Sequence, residues 1–361
     1  MTSQLPTIQS LTANKLLVGG KLTSAAAHSG SNKPKSRGYQ KPHHAFWLGI
    51  SHVVTQHRCL ASLQASSAVL DEAPSSPAAP LSLTAVLIVG PGVLGAYLGK
   101  LWAEEHPEAV VVGQTNTSKN HSRLQALGIR PRLKEGAGRE RFPNVVFCAP
   151  PSGCDDYEAE VKAALKLWDG SGTFLFTSSA GLYTAEDGSA CSEDSPVQHM
   201  GNSERTDRLL KAESAVLGAG GCVLRLAGLY HADRGPHTFF LKQGTVQRWP
   251  GYLVNLIHYE DAARLCHAVL QHSGCDEPFQ KRVFLGTDGS PLTFQTMIDA
   301  TVASGCYEGS AELVGPEGGS KGKQLSNAAT REALGWEPKY SSFEAFMSQG
   351  AQDFYKSSSL F

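Results

Sequence analysis

Residues Leu83–Gly95 read LTAVLIVGPGVLG, and this stretch decides the fold. A strand-like apolar run, Ala85–Val89, enters Gly90-Pro91-Gly92-Val93-Leu94-Gly95, and a helix-like stretch, Ala96–Glu105, follows. A first glycine lets the chain turn sharply out of a strand. A second, with no side chain, lets backbone N–H groups approach a pyrophosphate, and a third lets the helix pack close to the sheet. Phosphates held there meet a helix N-terminus, where unpaired N–H groups and the dipole favour negative charge. Gly90, Gly92, Val93, Leu94 and Gly95 are therefore candidates for binding a dinucleotide. The plain alternative is a tight strand-to-helix turn with no ligand.

Working outward, further apolar runs alternate with amphipathic stretches. Strands are predicted at Ala85–Val89, Ala109–Val112, Asn144–Ala149, Thr173–Thr177 and Cys222–Leu226, with helices at Tyr157–Trp168 and Arg208–Leu217. In the second helix Leu209, Ala212, Val216 and Leu217 share one face. Continuous apolar strands separated by helices imply a parallel sheet covered on both sides. After Tyr230 the pattern loosens into short strands at Asn255–Ile257 and Arg282–Leu285 and helices at Glu260–Leu270 and Phe294–Ser304. The expected fold class is α/β: a doubly wound parallel Rossmann sheet over residues 83–235 with a smaller C-terminal α+β lobe over 236–361.

The end of the second strand bears on cofactor choice. An acidic residue about 20 positions after the glycine loop binds the ribose 2′-OH and repels a 2′-phosphate. Here the chain reads Gly113-Gln114-Thr115-Asn116-Thr117-Ser118-Lys119, without a carboxylate. NADP is therefore expected, with NAD as the alternative, and Thr115 and Asn116 as contacts. Phe174–Tyr183 (FLFTSSAGLY) then places the hydroxyls of Thr177, Ser178 and Ser179 at the carboxyl edge of the sheet, where such folds bind ligands.

At this point the chain resembles the extended short-chain dehydrogenase/reductase family, also called NAD-dependent epimerases/dehydratases. Four further passages carry the likeness: Cys148-Ala149-Pro150-Pro151, Val223–Tyr230 (VLRLAGLY), Asn255–Ala263 (NLIHYEDAA), and Lys323–Tyr340 with its Leu334-Gly335-Trp336-Glu337-Pro338 core. The resemblance spans about residues 83–346. It implies that Cys148, Ala149, Pro150, Thr177 and Ser178 line the cofactor and that Ser179 orients a substrate carbonyl. The family's Tyr-x-x-x-Lys pair for proton transfer is not matched. With Glu213 aligned to the family's glutamate, Arg205 stands at the tyrosine position and Leu209 at the lysine position. Lys211 is no substitute, since two residues turn a helix by about 200°. The chain thus looks like an atypical branch, with Ser179, Arg205 and Tyr183 as candidate catalytic residues. Arg205 is suited to clamping a phosphate or carboxylate rather than to shuttling a proton. Tyr230, His231 and His237 are further proton-transfer candidates, each more often a packing residue. His258 and Asp261 read as capping or structural groups.

Composition narrows the partners. The 361 residues carry a formal net charge of −1. Residues 1–70 hold seven basic residues and no acid, leaving 25 basic against 33 acidic residues and a net charge of −8 in the rest. That balance argues against nucleic acid as a partner. The acid-free, hydroxyl-rich leader has the composition of an organelle transit peptide over 1–72, with plastid favoured over mitochondrion because arginine is sparse. Residues 73–82 read as a linker. No transmembrane segment is expected, since the longest apolar piece of the leader is too short to span a bilayer. Eight cysteines show no CxxC spacing and no histidine pairing near them for zinc, so no metal site is expected. The functional expectation is an NADP-dependent oxidoreductase or epimerase/dehydratase-like enzyme lacking the usual dyad, acting on a small, anionic molecule. The alternative is a non-catalytic NADP(H)-binding sensor or scaffold.

Overall fold

A computed structural model describes residues 81–356 apart from 137, 139 and 273–278. The leader and most of the linker lie outside the described residues. In chain order the elements are β1 (Val86–Val89), α1 (Val93–Glu105), β2 (Val111–Thr115), α2 (His121–Ala126), β3 (Arg130–Leu133), β4 (Asn144–Phe147), α3 (Tyr157–Leu165), β5 (Phe174–Ser179), β6 (Asp187–Cys191), α4 (Glu204–Gly218), β7 (Cys222–Leu226) and β8 (Gly228–Tyr230). They continue with α5 (Pro236–Gln243), β9 (Thr245–Val246), β10 (Leu253–Val254), β11 (Leu256–His258), α6 (Tyr259–Gln271), β12 (Val283–Gly286), β13 (Leu292–Thr293), α7 (Phe294–Ala303), β14 (Glu312–Leu313), β15 (Gly322–Leu325), α8 (Ala328–Leu334), α9 (Phe343–Ala345) and α10 (Ala351–Lys356).

Seven strands form one parallel sheet in the order β12-β7-β5-β4-β1-β2-β3. The order reverses between β1 and β4, and a crevice opens at the strand ends there, as in other doubly wound folds. Alternate residues of β1 serve opposite faces. Val86 and Ile88 pack with Leu94, Leu98 and Trp102 of α1 and with Leu265, Cys266 and Val269 of α6. Leu87 and Val89 pack with Tyr157 and Val161 of α3 and with Leu209, Ala212 and Val216 of α4. The expected doubly wound sheet is therefore present, with both faces buried.

The division at residue 235 is corrected by the topology. β12, from the C-terminal half, completes the main sheet beside β7. In exchange β6, from the N-terminal half, joins the four-stranded sheet β13-β10-β15-β6. The two regions thus share strands rather than meeting at one boundary, which ties the second region to the cleft edge. Several short strands escape the sequence reading, β3 and β6 among them. β3 is an edge strand of sequence RPRL whose residues are exposed or half-buried, so it offers no apolar run and its proline is tolerated. β6 reads DGSAC and buries only its last residue.

The C-terminal region packs around Tyr230, Phe294, Met297, Ile298, Phe343, Phe346 and Met347. His237 and His258 are buried among these rings, with His237 against Tyr307 and Phe343 and His258 against Tyr230 and Phe346. Burial lowers His237 to about 4 and His258 to about 3, so both are neutral at physiological pH. A histidine whose folded pKa is depressed contributes stability above its unfolded value, lost as pH falls toward the folded one. His237→Phe keeps the packing, and Tyr307 still donates to the Ala232 carbonyl that His237 Nε2 contacts at 3.1 Å. Wild type is expected to lose about 3 kcal/mol more than His237→Phe between pH 6.5 and pH 4. Urea unfolding of both proteins across that range checks it. A stability difference that does not change with pH contradicts it. Asp261 and Asp288, raised by burial to about 6 and about 7, titrate in the opposite sense but cancel between the two proteins.

Candidate functional site

Each glycine of the loop after β1 meets a distinct steric demand. Gly90 adopts φ +73°, and a Cβ there would lie 2.7 Å from the Ala149 backbone at the end of β4. A Cβ on Gly95 would lie 2.8 Å from Ile88, so the absence of a side chain sets how closely α1 approaches β1. A Cβ on Gly92 would meet nothing closer than 3.9 Å, and Gly92 lines the cleft. The missing side chain at 92 therefore leaves room for a ligand rather than for protein. Gly92 also caps α1 without a side-chain hydrogen bond, and the first turn holds no acidic residue. The exposed N–H groups and positive dipole end of α1 are thus left for an anion.

A cleft of about 860 Å³ runs from this loop across the end of β5 to the C-terminal region. A second cavity of about 500 Å³ lies on the other side, lined by Gln114, Thr115, Asn116, Lys134, Cys154 and Asp156 among others. The two share Gly90, Ala149, Pro150 and Tyr157, so the glycine loop stands at their border. This arrangement suits a molecule with a diphosphate at its middle and a group at each end.

The structure brings most of the predicted residues together. Gly90, Gly92, Val93, Leu94, Gly95, Cys148, Ala149, Pro150, Thr177, Ser178, Ser179 and Arg205 all line the cleft. Thr115 and Asn116 line the second cavity, where the Thr115 hydroxyl shares a hydrogen bond with His121 Nε2 at 2.7 Å. Thr177 donates to the Phe147 carbonyl, fastening β5 to β4. Tyr157 donates to the Ala149 carbonyl at 2.7 Å and holds that turn under the loop. Burial pushes the Cys148 thiol up to about 12, which leaves no thiolate for nucleophilic chemistry. Ser179 accepts from the Gly181 N–H at 3.1 Å, leaving its own O–H to donate to a ligand.

Tyr183 is a correction. The 3-10 turn Ala180–Leu182 carries it away from the cleft into a fully buried site. Its hydroxyl donates to the Glu193 carbonyl at 3.1 Å, and its ring lies against the Arg225 guanidinium. It is a packing residue and does not line the cleft. Tyr230, His231 and His237 are likewise buried and do not line it. His258 caps α6 by accepting from the Glu260 N–H, and Asp261 accepts from the Lys339 and Tyr340 N–H groups, which gives both the structural roles expected of them. At the dyad positions, Arg205 is exposed on the first turn of α4 and Leu209 is buried beside it.

The sequence reading misses the far end of the cleft. Among the described residues Arg234, Arg248 and Lys323 line it with Arg205, against a single acid, Glu186. Lys323, mostly buried on β15, donates to the Tyr183 carbonyl at 2.5 Å and lies 3.4 Å from Glu186. Arg234 Nε donates to the Tyr259 hydroxyl at 3.1 Å, and the Arg248 guanidinium lies over the Tyr252 ring. Asn255 positions β15 by donating to the Lys323 carbonyl and accepting from the Leu325 N–H. Only the Asn255–Ala263 and Lys323–Tyr340 passages touch this region in the sequence reading, and neither marks a basic end to the cleft.

No family model and no curated protein matches the chain. Solved structures do match its fold. A functionally unknown conserved protein from Silicibacter pomeroyi DSS is 22% identical with a TM-score of 0.61, covering 74% of this chain and 98% of that one. UDP-glucuronic acid 4-epimerase from Bacillus cereus, in complex with NAD, is 13% identical with a TM-score of 0.59, covering 75% and 99%. dTDP-glucose 4,6-dehydratase from Bacillus anthracis, also in complex with NAD, is 14% identical with a TM-score of 0.59, covering 76% and 97%. The chain therefore has the Rossmann-type fold of nicotinamide-dependent epimerases and dehydratases. Among the described residues no helix is long and apolar enough to cross a membrane.

Proposed function

We propose that this chain binds NADP(H) across the glycine loop, as an atypical member of the extended short-chain dehydrogenase/reductase family, and holds a small anionic molecule at the basic end of the cleft. One observation carries the reading: Gly92 faces open space in the cleft, two residues from Gly90 on the border of two cavities, at a helix N-terminus free of acid. The lack of a carboxylate at Gln114–Asn116 supports NADP over NAD, since no charge there opposes a 2′-phosphate. A bound nicotinamide supplies hydride exchange. Ser179 would hold a ligand carbonyl by donating its O–H, and Arg205, Arg234, Arg248 and Lys323 would neutralise the ligand's anionic group.

The absence of a tyrosine–lysine dyad favours a second reading, in which both molecules are bound without turnover and the protein acts as a sensor or scaffold. Arg205, permanently charged, cannot give and take a proton as a tyrosine does. Arg205→Ala is expected to weaken an anionic ligand by about tenfold while leaving NADPH affinity within about twofold, the range of one charge-assisted contact. Calorimetry with NADPH and with nucleotide and carboxylate ligands checks this, beside a turnover screen of wild type, Arg205→Ala and Ser179→Ala. Turnover that survives both substitutions contradicts the assignment of the site. The composition of residues 1–72 supports import into plastids, and processing on uptake by isolated plastids tests it.

A further inference from the structure

Outside the cleft, at the far ends of α1 and α6, three metal-ligating side chains converge. Glu105 and His106 end α1, and His267 stands on the last turns of α6. Their donor atoms all lie within 4.8 Å of one another. His267 is buried, with a side chain 7% exposed, and its Nε2 stands 3.0 Å from Glu105 Oε2. Among the described residues that nitrogen nevertheless has no hydrogen-bond partner, because the contact lies off the direction a ring N–H needs. A buried nitrogen and a carboxylate oxygen facing each other at this distance, with no proton aligned between them, are placed as two ligands of one cation are placed.

The surroundings fit that role. Trp102 fixes both imidazoles, with ring centroids 4.7 Å from His106 and 5.1 Å from His267, and the two histidine rings are nearly parallel at 21°. Gln271 Nε2 donates to Glu105 Oε2 at 3.2 Å and orients the carboxylate, as outer groups do around bound metals. A cavity of about 290 Å³, lined by His106, Trp102, Thr84, Asn144 and Gln271, opens beside the cluster and gives an ion and a water access. Two imidazoles and a carboxylate form a borderline-soft donor set that suits zinc and leaves a fourth position open.

We propose that Glu105, His106 and His267 bind one divalent transition-metal ion, with zinc the best fit, and that this ion staples α1 to α6. Tetrahedral ligands about 2.1 Å from zinc lie about 3.4 Å apart, so the Glu105–His267 pair must open slightly from 3.0 Å while any wider separation in the cluster closes. Glu105, whose side chain is 44% exposed, has the freedom to move. Both helices reach the cleft at their other ends, α1 through the glycine loop and α6 through Tyr259. The sequence conceals the site because its ligands lie far apart in the chain and include no cysteine.

The test uses the full-length protein, stripped with a chelator and then titrated with zinc by calorimetry and with cobalt by visible absorption. His43 and His44 of the leader offer another place for zinc, so the reading is the difference between wild type and variants. Glu105→Ala changes an exposed side chain and His106→Ala a half-buried one, and His267→Gln keeps a polar group in the buried position. Wild type should take up one zinc ion more than His106→Ala, with the variants binding it at least tenfold more weakly. Cobalt should give tetrahedral ligand-field bands in wild type alone, and zinc should raise the melting temperature of wild type but not of His106→Ala. Equal zinc uptake and equal melting shifts in wild type, His106→Ala and His267→Gln would overturn the proposal, leaving His267 and Glu105 as an ordinary buried contact.

Discussion

Gly92→Leu is expected to weaken NADPH binding at least ~100-fold, or ~2.7 kcal/mol, while the protein stays folded. The two halves of this expectation rest on one fact. The direction of the missing Cβ is empty of protein and belongs to the cleft. A leucine there would fill the space a diphosphate needs and cover the N–H groups that start α1. Its cost to the fold is that of a poorer helix cap, ~1 kcal/mol. Gly90 makes the contrast, because its φ of +73° and the Ala149 backbone 2.7 Å from a Cβ leave no room for any side chain. Gly90→Leu should therefore fail to fold, whereas Gly92→Leu should fail only to bind. Fluorescence titration with NADPH and a melting curve separate the two. Full affinity in Gly92→Leu would mean that the diphosphate lies elsewhere.

Glu213→Ala is expected to lower stability by about 3–5 kcal/mol, the cost of stranding one member of a buried ion pair. Glu213 and Arg225 are buried and meet through two contacts, Arg225 Nε at 3.1 Å and Nη2 at 2.7 Å. Ser178 also donates to Glu213 at 2.5 Å, so the network joins α4 and β7 to the end of β5 that carries Ser179. Removing the carboxylate leaves a guanidinium and a hydroxyl in the core without an acceptor. A fall of about 6–15 °C in melting temperature would follow. Glu213→Leu with Arg225→Met removes both charges and should recover much of the loss. If the double variant is as unstable as the single one, packing rather than an orphaned charge is responsible.

These residues also show where the sequence was legible. The glycine loop could be read because its three demands are local, set by a strand, a turn and a helix within about fifteen residues. The central strands could be read because a sheet covered on both faces needs continuous apolar runs, as in Val86–Val89 and Cys222–Leu226. β3 could not, because an edge strand need not be apolar. Tyr183 was misplaced because nearness to Ser179 in sequence ignores the 3-10 turn between them, which swings the ring inward. Arg234, Arg248 and Lys323 reach the cleft through crossings between the two regions, and β15 is brought there by its pairing with β6. No local pattern marks such residues.

The most direct test of the central claim is titration of the purified protein with NADPH and NADH under identical conditions, followed by nicotinamide fluorescence. Saturable binding of both is predicted, with NADPH the tighter by about tenfold, since nothing acidic at Gln114–Asn116 opposes a 2′-phosphate. Equal or tighter binding of NADH would contradict the cofactor assignment, and the absence of saturable binding by either would contradict the account of the cleft itself.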